Sequence, residues 1–238
     1  MRVIGGLWLV SVLWAVPWTV TVQPSPMVHV PGGNFSERLR DVSRIPHRLE
    51  RVAPFELDVH EVTVAQFRAC VSAGSCLYEH AGMSTDEQGS LVPDPECNYR
   101  DGATNNHPMN CVTQEEAAAY CAAEGKRLPS DAEWLLAAST GDDRHIYPWG
   151  TRPPDEHLCW SGFYHREGTC PVGSFPASDS PLGVTDLAGN VSEWVTGPWP
   201  YVVGGSWRSR NAAQVSVAGA TMRWHAERDP TVGFRCAR

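Results

Sequence analysis

A chain of 238 residues suits one large domain or two small ones, and 42% hydrophobic with 19% charged residues is a globular composition, not a disordered one. A net charge of −8 with no basic patch argues against a nucleic-acid partner. The 21 Gly, 19 Pro and ten Trp predict a loop-rich body stitched together by large rings.

The N-terminus is the first element. Arg2 supplies a short positive start, and Val3 to Val16 is an uncharged, mostly apolar run of signal-peptide length. Residues 1–22 are therefore expected to be a signal segment, and 23–238 the domain. Small residues suited to cleavage are poorly placed, so a retained anchor is the alternative, although the run falls short of the roughly 20 apolar residues that span a bilayer. Membrane contact is expected only if that segment is retained; otherwise the protein is secreted or lies in the periplasm or cell envelope. All eight cysteines lie beyond the segment, at 70, 76, 97, 111, 121, 159, 170 and 236. An even count in an exported chain predicts four disulfides, and the absence of any CxxC pair argues against a zinc site.

Met27 to Phe35 alternates and then turns, as an entry strand does, and Ser36 to Arg51 is polar enough for a surface loop. Val52 to Val59 alternates again and predicts a strand ending near His60. Three capping boxes then mark helix starts: Thr63 with Gln66, Thr113 with Glu116, and Ser130 with Glu133. Gly74, Gly125 and Gly141 punctuate the ends. Leu77 to Met109 is expected to be long and irregular, Tyr147 to Gly150 an aromatic turn, and Cys159 to Cys170 a short enclosed loop. Leu182 to Trp207 concentrates glycines, tryptophans and two acids, Asp186 and Glu193, set among apolar residues. Buried carboxylates need partners, whether a cation or backbone N–H groups. Short strands, three helices and long loops make an α+β domain.

Several of these segments resemble one family. Ala119-Tyr120-Cys121 followed by Gly125 to Trp134 (GKRLPSDAEW) is similar to the AYC…GKRLPTEAEW signature of the formylglycine-generating, or sulfatase-modifying factor, enzymes. Tyr147-Pro148-Trp149-Gly150, Gly183 to Trp194, Gly204-Gly205-Ser206-Trp207 and Gly233-Phe234-Arg235-Cys236 match further motifs of that family, in order, from about Met27 to Arg238. The resemblance implies the family's irregular, loop-rich α+β fold, a C-type-lectin-like variant stabilised by disulfides. It also implies a Cys121–Cys236 bridge. By proximity, Cys70–Cys76, Cys97–Cys111 and Cys159–Cys170 are added.

The resemblance implies less about chemistry. Canonical members of the family oxidise a substrate cysteine with O₂ and a copper(I) ion held by two cysteines spaced C-x4-C after the GGS turn, and other branches bind non-heme iron through histidines. Ser206 of that turn is retained here, but Ser209 and Gln214 stand where the two cysteines would be, and neither is a soft donor suited to Cu(I). Copper is not expected, and the catalytic role has no residue to carry it. Nine histidines offer no H-x3-H pair for iron, leaving a facial triad from distant segments as an open alternative. The family's structural calcium would fall on Asp186, Gly189, Val191 and Glu193, whose hard oxygens suit that ion. Trp207, Arg208, Arg210 and Trp224 lie where the family has its substrate groove. Such a groove could take a peptide or a glycan by cation–π and bidentate contacts. The expectation is an exported family member acting as a peptide- or ligand-binding module. The alternatives are a divergent metal-dependent oxidoreductase acting on a peptide or secreted substrate, and a lectin-like carbohydrate binder.

Overall fold

The computed structural model describes residues 23–36, 49–100, 102–142, 144–162 and 164–238. The expected signal segment, and most of the loop expected from Ser36 to Arg51, lie outside these residues. Among the described residues no helix is long and apolar enough to cross a membrane.

The three helices begin where the capping boxes stand: α1 over Val64–Ser72, α2 over Gln114–Ala123 and α3 over Asp131–Ser139. Each cap hydroxyl accepts the N–H three residues on, and the Gln or Glu there accepts the cap residue's own N–H. Such caps contribute about 1 kcal/mol each. The helices are short, so tertiary burial of Phe67, Tyr120, Trp134 and Leu135 holds them rather than intrinsic propensity.

The strands depart from expectation in two places. β1 (Met27–Val30) pairs antiparallel with β4 (Phe55–Asp58), and β2 (Gly33–Ser36) with β3 (Leu49–Val52). The single strand expected over Val52 to Val59 is thus two, broken at Ala53-Pro54, because proline donates no ladder hydrogen bond. Leu49 and Glu50, expected in a loop, belong to β3. The stretch expected to be irregular also carries a hairpin, β5 (Met83–Thr85) with β6 (Leu91–Pro93). Its turn is held by the Asp86 carboxylate, which accepts the Gln88 and Ser90 N–H groups.

The sheet that positions the site runs β10-β7-β8-β9. β7 (Ser192–Trp194) lies at its centre, parallel to β10 (Val232–Gly233) and antiparallel to β8 (Tyr201–Val203), which pairs with β9 (Ala220–Met222). The residues after β10 are threaded into the body. Cys236 O accepts from Asp58 N, Ala237 exchanges both backbone bonds with Arg127, and Arg238 does so with Glu56. All eight cysteines are paired, as Cys70–Cys76, Cys97–Cys111, Cys121–Cys236 and Cys159–Cys170, with no free thiol. Two apolar clusters meet at this sheet, one around α3, β1 and β4 and the other around α1, α2 and Phe234.

Candidate ligand cleft

The turn after β8 is built by glycine. Gly205 has φ +69°, and a Cβ there would come 2.5 Å from the Gln214 carbonyl oxygen, so only glycine lets the two segments close up. The next four residues fold back on themselves. Ser209 Oγ accepts the Ser206 N–H at 3.0 Å, and Ser206 O accepts the Ser209 N–H at 2.9 Å. Ser161 fastens this turn from behind, donating from Oγ to Trp207 O at 2.8 Å and from its N–H to Ser209 O at 2.9 Å. The Trp207 indole lies against the Cys159–Cys170 bridge and donates to Pro230 O at 3.2 Å. Gln214 Oε1 accepts from the Arg210 and Asn211 N–H groups, closing the far side.

This loop and the sheet enclose a cleft of about 410 Å³. Hydroxyls dominate its polar lining: Ser192, Ser206, Ser209, Thr221 and Thr231, with the Gln214 amide and Arg223. A smaller recess of about 180 Å³ shares Ser206, Ser209, Gln214 and Arg223 and adds Arg208 and Asp229. Ser209 and Gln214 therefore face one cavity. Of the expected groove residues, only Arg208 comes close, lining the smaller recess but not the larger cleft. Arg208 stacks over Trp207 at 4.6 Å and pairs with Glu96. Trp207 is only 2% exposed and backs the turn, while Arg210 and Trp224 are exposed and line neither space. Arg228, further along the tail, is buried against Glu116 and Cys111 O. Thr221 and Thr231 carried no motif, because isolated hydroxyls have no sequence signature.

The chemistry available here is hydrogen bonding. No thiol reaches the cleft, because every cysteine is in a disulfide. Neither serine has a histidine or a free carboxylate beside it among the lining residues. Asp229 is taken up by Thr231 and by Arg223 at 3.1 Å. Arg223 also holds Glu227 at 2.8 Å, and its buried Nε has no partner.

Beneath the sheet lies a buried charge cluster. Arg235, wholly buried, grips both oxygens of Glu193 at 2.8 Å and donates to the carbonyls of Asp58, Val59 and Thr185. Trp134 Nε1 adds a third bond to Glu193 at 3.0 Å. Asp186 Oδ2 accepts from Gly173 N and Thr185 Oγ1. The two carboxylates proposed for calcium are thus already engaged, and a divalent cation at Glu193 would face the guanidinium of Arg235. This donor set does not fit the ion. Among the described residues, no three His, Cys, Asp or Glu side chains stand where they could hold a metal.

Glu61 is the outlier of the cluster. It is fully buried, and neither carboxylate oxygen has a hydrogen-bond partner. Burial, then the neighbouring Asp186, pushes its pKa well above the ordinary 4.5, against the pull of Arg235. Asp179 is pushed to about 6 in the same way. For a group whose folded pKa is raised, stability is fully present below the unfolded pKa and is lost as pH rises toward the folded one. Glu61→Gln should flatten that decline. Urea titrations from pH 4 upward will show the variant gaining on wild type as pH rises; a constant offset would exclude the account.

Residues 15–238 match the sulfatase-modifying factor enzyme 1-like domain family. The chain belongs to that family. This sulfatase-modifying factor protein is 30% identical over 220 residues to the formylglycine-generating enzyme of Thermomonospora curvata, covering 73% of this chain and 71% of that one. It is 29% identical to the mouse protein named inactive C-alpha-formylglycine-generating enzyme 2, covering 90% and 86%. PvdO from Pseudomonas aeruginosa shares the fold, with a TM-score of 0.68, 24% identity, and coverage of 89% of this chain and 93% of its own.

Proposed function

We propose that this sulfatase-modifying factor protein is an exported binding module that holds a peptide or other polar ligand in the hydroxyl-lined cleft, without copper-dependent cysteine oxidation. One observation carries this reading. The two positions that the family gives to its copper-binding cysteines are Ser209 and Gln214, which line one cleft, while all eight cysteines are locked in disulfides. Thiolates are what a Cu(I) site needs, and the chain has none to offer. Four disulfides agree with an oxidising compartment. The likeness to a relative named inactive, over 90% of this chain, points the same way.

The test is to incubate the purified protein with a cysteine-containing sulfatase-motif peptide, O₂ and Cu(I), and to trap any aldehyde with a hydrazine probe. No aldehyde is expected, and formation of one by the wild-type protein overturns the proposal. A gain-of-function variant checks the geometry. Ser209→Cys/Gln214→Cys should bind one Cu(I) per chain in competition with a colorimetric chelator, whereas wild type binds none. If the double variant binds no copper, these positions do not form the family's ligand pair.

A further inference from the structure

The Cys159–Cys170 bridge differs from the other three in where it sits. The described residues of the loop it closes form no helix or strand, and Tyr164, His165 and Glu167 stand exposed on it. The two large apolar clusters take in Cys70, Cys76, Cys121 and Cys236, whereas this bridge packs with Trp207 and Phe175. Cys170 is 8% exposed, more than any other cysteine of the chain. The span is short, 11 residues against 115 for Cys121–Cys236, so opening it releases less of the chain.

A cation lies against the same bridge. Arg166 Nη1 is 3.5 Å from Cys170 Sγ, and no other cysteine sulfur has such a donor among the described residues. The rest of the guanidinium donates to Trp160 O at 3.1 Å and Leu158 O at 3.3 Å and lies over the Phe175 ring. Its partners are thus carbonyl oxygens, a ring and a sulfur, with no carboxylate among the described residues. A positive charge does little for a neutral disulfide, but it stabilises the thiolate that reduction creates. Stabilising the reduced form makes a disulfide easier to reduce.

The loop also braces the turn of the cleft. Ser161 makes both bonds that fasten that turn from behind, to Trp207 O and from Ser209 O. Asn190 ties the two together: its N–H donates to Cys159 O, its Oδ1 accepts the Cys170 N–H, and its O accepts the Trp207 N–H. We propose that Cys159–Cys170 is a reducible bridge that sets the order of the cleft's turn, opened by a dithiol while the other three bridges hold. This rests on the reading of the cleft as the binding site and adds its regulation. A thiolate of the dithiol attacks Sγ of Cys170, the more exposed partner, and Cys159 Sγ leaves as a thiolate and takes up a proton. The second thiolate of the dithiol then displaces Cys170 Sγ, which leaves as a thiolate beside Arg166. Two electrons pass to the protein and the dithiol ends as a disulfide. The loop carrying Ser161 is then free, and Trp207 and Ser209 lose their brace.

The experiment equilibrates the purified full chain with reduced and oxidised dithiothreitol at a series of ratios, traps free thiols with N-ethylmaleimide and maps the labelled cysteines by peptide mass. Cys159 and Cys170 should label first, with the protein still folded by circular dichroism. Arg166→Met should lower the equilibrium constant for reducing this bridge about tenfold, or about 30 mV, and Arg166→Lys should recover most of that. In the selectively reduced protein the Trp207 and Ser209 amides should exchange about tenfold faster, with α1 and α2 unchanged. The variant Cys159→Ser/Cys170→Ser should show the same exchange pattern without any reductant. Opening of all four bridges together, a constant unmoved by Arg166→Met, or exchange at Trp207 and Ser209 unmoved by reduction overturns the proposal. None of these readouts involves a ligand, so aldehyde formation in the copper assay would sink the binding-module reading and leave the reducible bridge to be judged on its own.

Discussion

Glu193→Ala should destabilise the protein by about 3–5 kcal/mol, lowering its melting temperature by roughly 10 °C or more. The magnitude follows from what the mutation leaves behind. Arg235 is fully buried and ion-paired to both Glu193 oxygens. Burial pulls its pKa down, but Glu193 outweighs that and holds it charged. Without Glu193 the guanidinium keeps its carbonyl partners and loses its closest counter-charge, and Trp134 Nε1 loses its acceptor. Arg235→Met fares no better, because Glu193, Asp186 and Glu61 then share a buried site with no cation among them. The double variant Glu193→Met/Arg235→Met removes the pair but leaves Glu61 and Asp186. It should recover more of the loss at pH 5 than at pH 8, because burial raises the pKa of both remaining acids and favours their neutral forms. Differential scanning calorimetry at the two pH values checks this. Equal melting points for Glu193→Ala and wild type would show that the pair contributes nothing.

Removing the Cys121–Cys236 bridge with the pair Cys121→Ala/Cys236→Ala should cost about 4–5 kcal/mol, the loop-closure value for a span of this length. The cysteines are 115 residues apart, and both are fully buried. Removing Cys70–Cys76, which spans six residues, should cost only about 2 kcal/mol by the same relation. Guanidinium denaturation of the two variants gives the ratio directly. Equal losses would mean that local packing, not chain closure, sets the contribution of these bridges.

The sequence made some of this legible because some signals are local. A capping box needs four residues, and all three boxes formed. Disulfide pairing by proximity, with Cys121–Cys236 taken from the resemblance, also held. The break at Pro54 was legible in principle, since proline inside a strand run is a warning that alternation alone overrides. The cleft was harder. Trp207 and the tail arginines looked like groove residues because they are large and close in sequence to the GGSW turn. Packing decided otherwise, sinking Trp207 behind the turn and leaving Arg210 and Trp224 exposed away from the cleft. Thr231 and Ser192 reach the cleft only because β10 runs parallel beside β7, a long-range pairing with no local signature. Likewise, the acids of the 182–207 stretch needed partners, but Arg235 lies 42 residues from Glu193 and could not be chosen from spacing alone.

The threading of residues 233–238 through the body also bears on how the protein is made. Until Arg235 emerges from the ribosome, Glu61, Asp186 and Glu193 have no buried cation to gather around. Until Cys236 emerges, Cys121 has no native partner. A nascent chain of this protein must therefore wait, with α2 and the central sheet already synthesised but unable to lock, and Cys121 exposed to mispairing with earlier thiols. Folding here closes only once Arg235 and Cys236 are available to the rest of the body.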